Sequence, residues 1–149
     1  MVAVDTNILV YAHRQDSPWH AQAASCLVAL AESSEPWAIP WPCIHEFFSI
    51  VTHPKIYRPP TPSAAALADL DVWMESPSLQ LIGETAAYWP ILRQTIGNSA
   101  VAGPMVHDAR IAAICRAHGV TTLLSADRDF SRFREVQVRN PLTRTLPGE

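Results

Sequence analysis

Short apolar runs of strand character alternate with longer stretches of helical periodicity along this chain, and the alternation restricts the fold more than any other feature. Residues 2–4, 38–41, 79–82, 120–124 and 136–138 read as strands. Helices are predicted over 18–32, where Ala23, Cys26, Leu27 and Leu30 share a face, and from Pro42 onward, with Ile44, Phe47, Phe48 and Val51 on one side. The segment 53–62 holds four prolines and reads as an extended loop, with Thr61 as N-cap and Pro62 as first residue of a helix reaching Glu75. A further helix over 84–96 is expected to be interrupted or kinked at Pro90, and 97–104 to form a turn-rich connection. The last helix, 105–118, should close on Gly119 in the left-handed conformation. Strands separated by helices pair in parallel through right-handed crossovers, so the expected fold is an α/β sandwich around a mainly parallel, twisted sheet.

A chain of 149 residues, 48% hydrophobic, supplies one full core, and a single domain over 1–149 is expected. No apolar stretch approaches the roughly 18 residues of a membrane span, and the N-terminus enters a strand without a basic leader, so a soluble, cytoplasmic protein without a membrane partner is expected. Cys26, Cys43 and Cys115 are odd in number and lie in apolar patterns, which indicates reduced thiols instead of a disulfide frame or zinc ribbon. The net charge of −3 gives no overall basic footprint for nucleic acid. Arg128, Arg132, Arg134, Arg139 and Arg144 nevertheless crowd the last fifth of the chain, as a solvated surface or as a rim facing phosphates.

Four acids occupy chemically loaded positions. Asp5 closes the run Val2-Ala3-Val4, and Asp127 follows the strand at 120–124, so both fall at the carboxyl edge of a parallel sheet, where ligands bind. Asp108 lies in the first turn of its helix beside the apolar positions Ile111 and Ala112, and Glu46 lies one turn inside a helix between Cys43 and Ile50. Each has a plain structural alternative. Asp5 suits a helix cap, Asp108 a helix N-terminus, and Asp127 and Asp129 an ordinary turn. Together the four exceed what capping requires. Two unit charges about 4 Å apart repel by about 4 kcal/mol at an effective dielectric near 20, so a pocket of carboxylates calls for a cation. Oxygen ligands without His or Cys favour Mg²⁺, with Mn²⁺ also suited, over Zn²⁺.

The order Asp5-Thr6-Asn7, Glu46 in a helix, His107-Asp108-Ala109-Arg110-Ile111, and Ser125-Ala126-Asp127-Arg128-Asp129-Phe130 resembles the PIN-domain ribonucleases. Among them it is most similar to the VapC-type toxins of VapBC toxin–antitoxin pairs. The resemblance runs from Asp5 to the strand after Phe130, and the Ser-x-Asp-x-Asp-Phe block is its most specific part. It implies a PIN-like three-layer α/β/α sandwich in which Asp5, Glu46, Asp108 and Asp127 form a catalytic, metal-binding quartet. Asp5 and Asp108 are implied as first ligands, Asn7 and Ser125 as supporting hydrogen-bonding groups, and Asp129 as a fifth acid or a cap on the turn at Phe130. It also implies an RNA substrate, a cognate VapB-type antitoxin and a homodimer.

Hydrolysis through such a site is expected to leave a 5′-phosphate and a 3′-hydroxyl, with one ion activating water and a second supporting the departing oxygen. Single-stranded RNA fits a shallow cleft better than a stiff duplex. Arg14, Arg110 and Arg128 are candidates for steering its phosphates, and the five tryptophans for stacking on bases, although most should be core residues. Competing readings are a haloacid-dehalogenase-like Mg²⁺ phosphatase, which wants an acid where Asn7 stands, and a catalytically inactive PIN-like binding module. His45-Glu46-Phe47-Phe48-Ser49 begins as HExxH and fails at Ser49.

Overall fold

A computed structural model describes residues 1–143. Five strands form one sheet in the order β3-β2-β1-β4-β5, every pair parallel: β1 is Val2–Val4, β2 Trp37–Pro40, β3 Leu79–Ile82, β4 Thr122–Leu124 and β5 Gln137–Arg139. Among the described residues six α-helices flank it: α1 Thr6–His13, α2 His20–Glu32, α3 Trp41–Val51, α4 Ser63–Met74, α5 Tyr88–Ser99 and α6 Val106–Ala117. β2 is buried at all four residues and β1 at its last two, as the inner strands of a parallel sheet covered on both faces must be. The helices pack as two groups, α1 with α2 and α3, α3 with α4, and separately α5 with α6. The chain moves from β1 outward to β3, then returns past β1 to β4. With right-handed crossovers that reversal assigns the two groups to opposite faces.

The reversal makes the carboxyl ends of β1 and β4 a topological switch point, where the loops diverge and leave a crevice. The two strands are in register from Val2 with Thr122 to Val4 with Leu124, and the Asp5 amide extends the ladder to the Leu124 carbonyl at 2.9 Å. Asp5 and Ser125 therefore emerge side by side. α3 is held in place by Phe47, wholly buried, whose ring meets His13 and Trp73 edge-on at 5.4 and 5.1 Å between centroids. That fixes the preceding residue, Glu46, toward the same crevice.

Several local expectations are corrected. Thr61 does not cap α4, whose cap position is Pro62; its hydroxyl instead meets His13 Nε2 at 2.9 Å and accepts from Arg14 at 3.2 Å. The helix expected over 84–96 starts four residues later, which puts Pro90 in the first turn, where a missing amide costs nothing, and removes the kink. It runs on through Gly97 to Ser99 and ends at Ala100 with φ 55°. The strand expected at 38–41 lies one residue earlier, because Trp41 already opens α3. Gly119 does take the left-handed conformation, at φ 70°. Trp37 and Trp73 pack in the core, but Trp19, Trp41 and Trp89 are exposed. The three cysteines are free. Among the described residues no helix is long and apolar enough to cross a membrane. Arg144 lies outside the described residues.

Candidate functional site

Asp5, Glu46, Asp108 and Asp127 line one cavity of about 270 Å³ at the switch point, together with Thr6, Asn7, Tyr11 and Tyr57. Asp5 is 4% exposed and occupies the cap position of α1, yet its carboxylate does not cap that helix by side-chain bonding. It accepts instead from Ser125 Oγ at 2.7 Å, Asn7 Nδ2 at 3.3 Å and the Cys43 thiol at 3.7 Å. Burial raises its pKa to about 6, against the opposing pull of Ser125 and with a further push from Glu46. The Cys43 thiol is itself driven up by burial and by Asp5, so it stays a neutral donor.

Asn7 and Ser125 clasp the two strand ends. Asn7 donates to Ser125 Oγ at 3.2 Å and accepts from the Ala126 amide at 3.1 Å, while the Asp127 amide donates to Ser125 Oγ at 3.0 Å. Glu46 is half-buried and accepts from Thr6 Oγ1 at 2.7 Å. Asp108, in the first turn of α6, is half-buried and receives no hydrogen bond among the described residues. Desolvation raises its pKa to about 6, with Asp127, Asp5, Glu46 and Asp129 all pushing the same way. The ion pairs found among the described residues join His13 to Asp69, Arg14 to Asp16 and Arg110 to Glu84, so none neutralises the quartet.

Asp127 keeps a capping role as well. Its carboxylate accepts from the Asp129 amide at 2.9 Å and opens a 3₁₀ turn over Arg128–Arg132. The turn at Phe130 is thus capped by Asp127 and not by Asp129, which is exposed and outside the cavity lining. Arg14 is committed elsewhere: it pairs with Asp16, donates to the Pro59 carbonyl and Thr61, and lies 4.2 Å from the centre of the Tyr57 ring. Arg110 is exposed and bound to Glu84 at 2.6 Å. Arg128 is exposed next to Asp127. None of the five tryptophans lines the cavity; its aromatic wall is Tyr11 and Tyr57, which sequence reasoning passed over. Tyr57 sits in the proline-rich loop, and only the fold shows that this loop returns to the crevice.

The donor set is carboxylate, hydroxyl and amide oxygen, which suits a hard divalent cation. The four acids border the cavity without closing on a point: among the described residues no three His, Cys, Asp or Glu side chains form a ready cage. A family model described as PIN domain matches residues 2–136. The chain belongs to the PIN-domain family. This PIN domain is 34% identical over 142 residues to the Mycobacterium tuberculosis protein named Ribonuclease VapC43, covering 95% of the chain and 96% of that relative. It is 28% identical over 139 residues to Ribonuclease VapC48 of the same organism, covering 93% and 96%. Its fold is shared with a chain of VapBC2 from Rickettsia felis, crystallised with promoter DNA (TM-score 0.65, 22% identity, covering 94% of this chain and 98% of that one). A chain of FitAcB from Neisseria gonorrhoeae has the same fold (TM-score 0.61, 18% identity, covering 95% and 98%).

Proposed function

We propose that this PIN domain is a metal-dependent endoribonuclease, the VapC-type toxin of a toxin–antitoxin pair, and that its acidic cavity hydrolyses RNA phosphodiester bonds. The observation that carries the proposal is a single cavity walled by Asp5, Glu46, Asp108 and Asp127 with no basic partner among the described residues. The family match and the relatives named as VapC ribonucleases support the same reading and set aside the phosphatase alternative. Asn7, where a phosphatase would want an acid, is committed by its amide to Asp5, Ser125 and Ala126.

Asp5 and Asp108 are the groups proposed to hold Mg²⁺ or Mn²⁺, with Glu46 and Asp127 completing the shell. The cation would offset the four negative charges that repel an RNA phosphate and acidify the attacking water. Asn7 and Ser125 hold Asp5 in one orientation, and Thr6 holds Glu46, so both carboxylates are positioned before substrate arrives. Glu46 and Asp127 are proposed to accept the proton that the attacking water gives up. Breaking the bond from phosphorus to the 3′ oxygen leaves a 5′-phosphate and a 3′-hydroxyl.

The likeness to chains of VapBC2 and FitAcB supports a proteinaceous antitoxin partner here too. The exposed apolar side chains Val28 on α2 and Leu67, Val72 and Met74 on α4 are proposed to meet that antitoxin or the second copy of a homodimer. Incubation with total cellular RNA tests the activity: cleavage with Mg²⁺, none with chelator, and none by Asp5→Ala or Asp108→Ala is the expected pattern. Undiminished cutting by both variants would remove the site assignment.

A further inference from the structure

Three hollows of the surface follow one another, each sharing a wall residue with the next. Asp127 lies on the wall of the acidic cavity and also, with Arg128, on the wall of a neighbouring hollow of about 420 Å³. That hollow shares Ser131 with a third, of about 700 Å³, walled by Arg132, Arg134 and Asn98. The spine of the series is the 3₁₀ turn over Arg128–Arg132. Phe130 and Phe133, 2% and 1% exposed with ring centres 5.9 Å apart, anchor it to the core, so Arg128, Arg132 and Arg134 must face outward. Among the described residues none of these three arginines makes an ion pair.

We infer that this groove is the track along which a single RNA strand leaves the acidic cavity, with Arg132 and Arg134 binding phosphates beyond the one being cut. The inference rests on the ribonuclease reading above. A chain of net charge −3 with an acidic reaction site has to gather a polyanion by local positive charge, and this groove supplies it at the border of that site. Beside the apolar Ala126 and Val138 its wall carries guanidinium, hydroxyl and amide groups, the set that binds nucleic-acid backbone. Protein interfaces deplete charge at their centres, which fits the apolar face of α4 and not this groove. The carboxylate in the third hollow, Glu135, is tied to Asn98 at 3.0 Å and lies in the field of Arg116 and Arg134.

The test is equilibrium binding of a labelled single-stranded RNA oligonucleotide in Mg²⁺, with Asp5→Ala introduced throughout to keep the strand intact. Adding Arg132→Ala and Arg134→Ala should weaken binding roughly 2- to 30-fold, as loss of two exposed ion pairs would. It should also flatten the dependence of log affinity on log salt by about 1.4, or 0.7 per phosphate contact on a single strand. Adding Arg93→Ala, exposed on α5 and off the track, should do neither. Unchanged affinity and salt slope in the double variant would overturn the inference, and weakened binding of an acidic protein alone would overturn it in favour of a protein partner. Cleavage is scored separately: wild-type protein inert toward RNA in Mg²⁺ and Mn²⁺ would sink the ribonuclease reading, while the binding comparison still decides the track.

Discussion

The Ser125 hydroxyl, from the end of β4, donates to the Asp5 carboxylate at the end of β1 across 2.7 Å, and its oxygen accepts from Asn7 and the Asp127 amide. One donor and two acceptor positions are thereby all used. Ser125→Ala removes the hydrogen bond that restrains the Asp5 pKa and strands two donors. The variant should lose about 1–3 kcal/mol of stability at pH 7.5, read by urea unfolding. The acid limb of its cleavage profile should move to higher pH. A limb at the wild-type position would show that Ser125 does not govern Asp5.

Asp5 ionises in the fold at about 6, against 3.8 for an unperturbed carboxyl. Its charge therefore opposes folding above pH 6, and the penalty disappears below about pH 4. Asp5→Asn should raise stability at pH 7.5 in chelator by about 1–3 kcal/mol, up to the roughly 3 kcal/mol that such a shift represents. It should flatten the rise in wild-type stability between pH 7 and 4. Saturating Mg²⁺ should raise the wild-type melting temperature and leave that of Asp5→Asn almost unmoved. Equal melting responses would mean that Asp5 is no ligand.

Asp108 also titrates at about 6 in the fold, pushed by desolvation and by Asp127. With both acids raised, protons compete for the groups proposed to hold the cation. Log kcat/KM should fall below about pH 6 with a slope approaching two, as both carboxyls protonate. Raising Mg²⁺ tenfold should shift the midpoint downward, since cation and protons exclude one another. A profile flat from pH 5 to 7.5 would contradict this.

The strands were legible where an apolar run ended at a punctuating residue: β3 falls on the expected residues, stopped by Gly83, and β1 on its own, stopped by Asp5. The quartet could be picked out because each acid borders apolar sequence within a fixed local element. What the sequence could not show was long-range commitment. Thr61 is a sound N-cap residue by local rules, but His13 and Arg14, from a helix about fifty positions earlier, claim its hydroxyl. Arg14 reads as a free cation until Asp16, Pro59 and Tyr57 are seen around it. The start of α5 was misplaced because Pro90 fits either a kinked interior or a first turn, and periodicity alone does not choose.

Tyr57 lines the acidic cavity, and the Arg14 guanidinium lies over its ring at 4.2 Å, held from behind by Asp16, Pro59 and Thr61. The ring is thus a braced flat surface beside the groups proposed to cut RNA. A base next to the scissile phosphate would stack on it, for about 1–3 kcal/mol. Tyr57→Ala should raise KM for RNA by roughly 5- to 150-fold with kcat changed far less, and Tyr57→Phe should restore KM because stacking needs the ring and not the hydroxyl. Arg14→Ala, which removes the brace and keeps the ring, should fall between the two. A loss confined to kcat in Tyr57→Ala, or no rescue by Phe, would place the residue in shaping the cavity wall instead of holding a base.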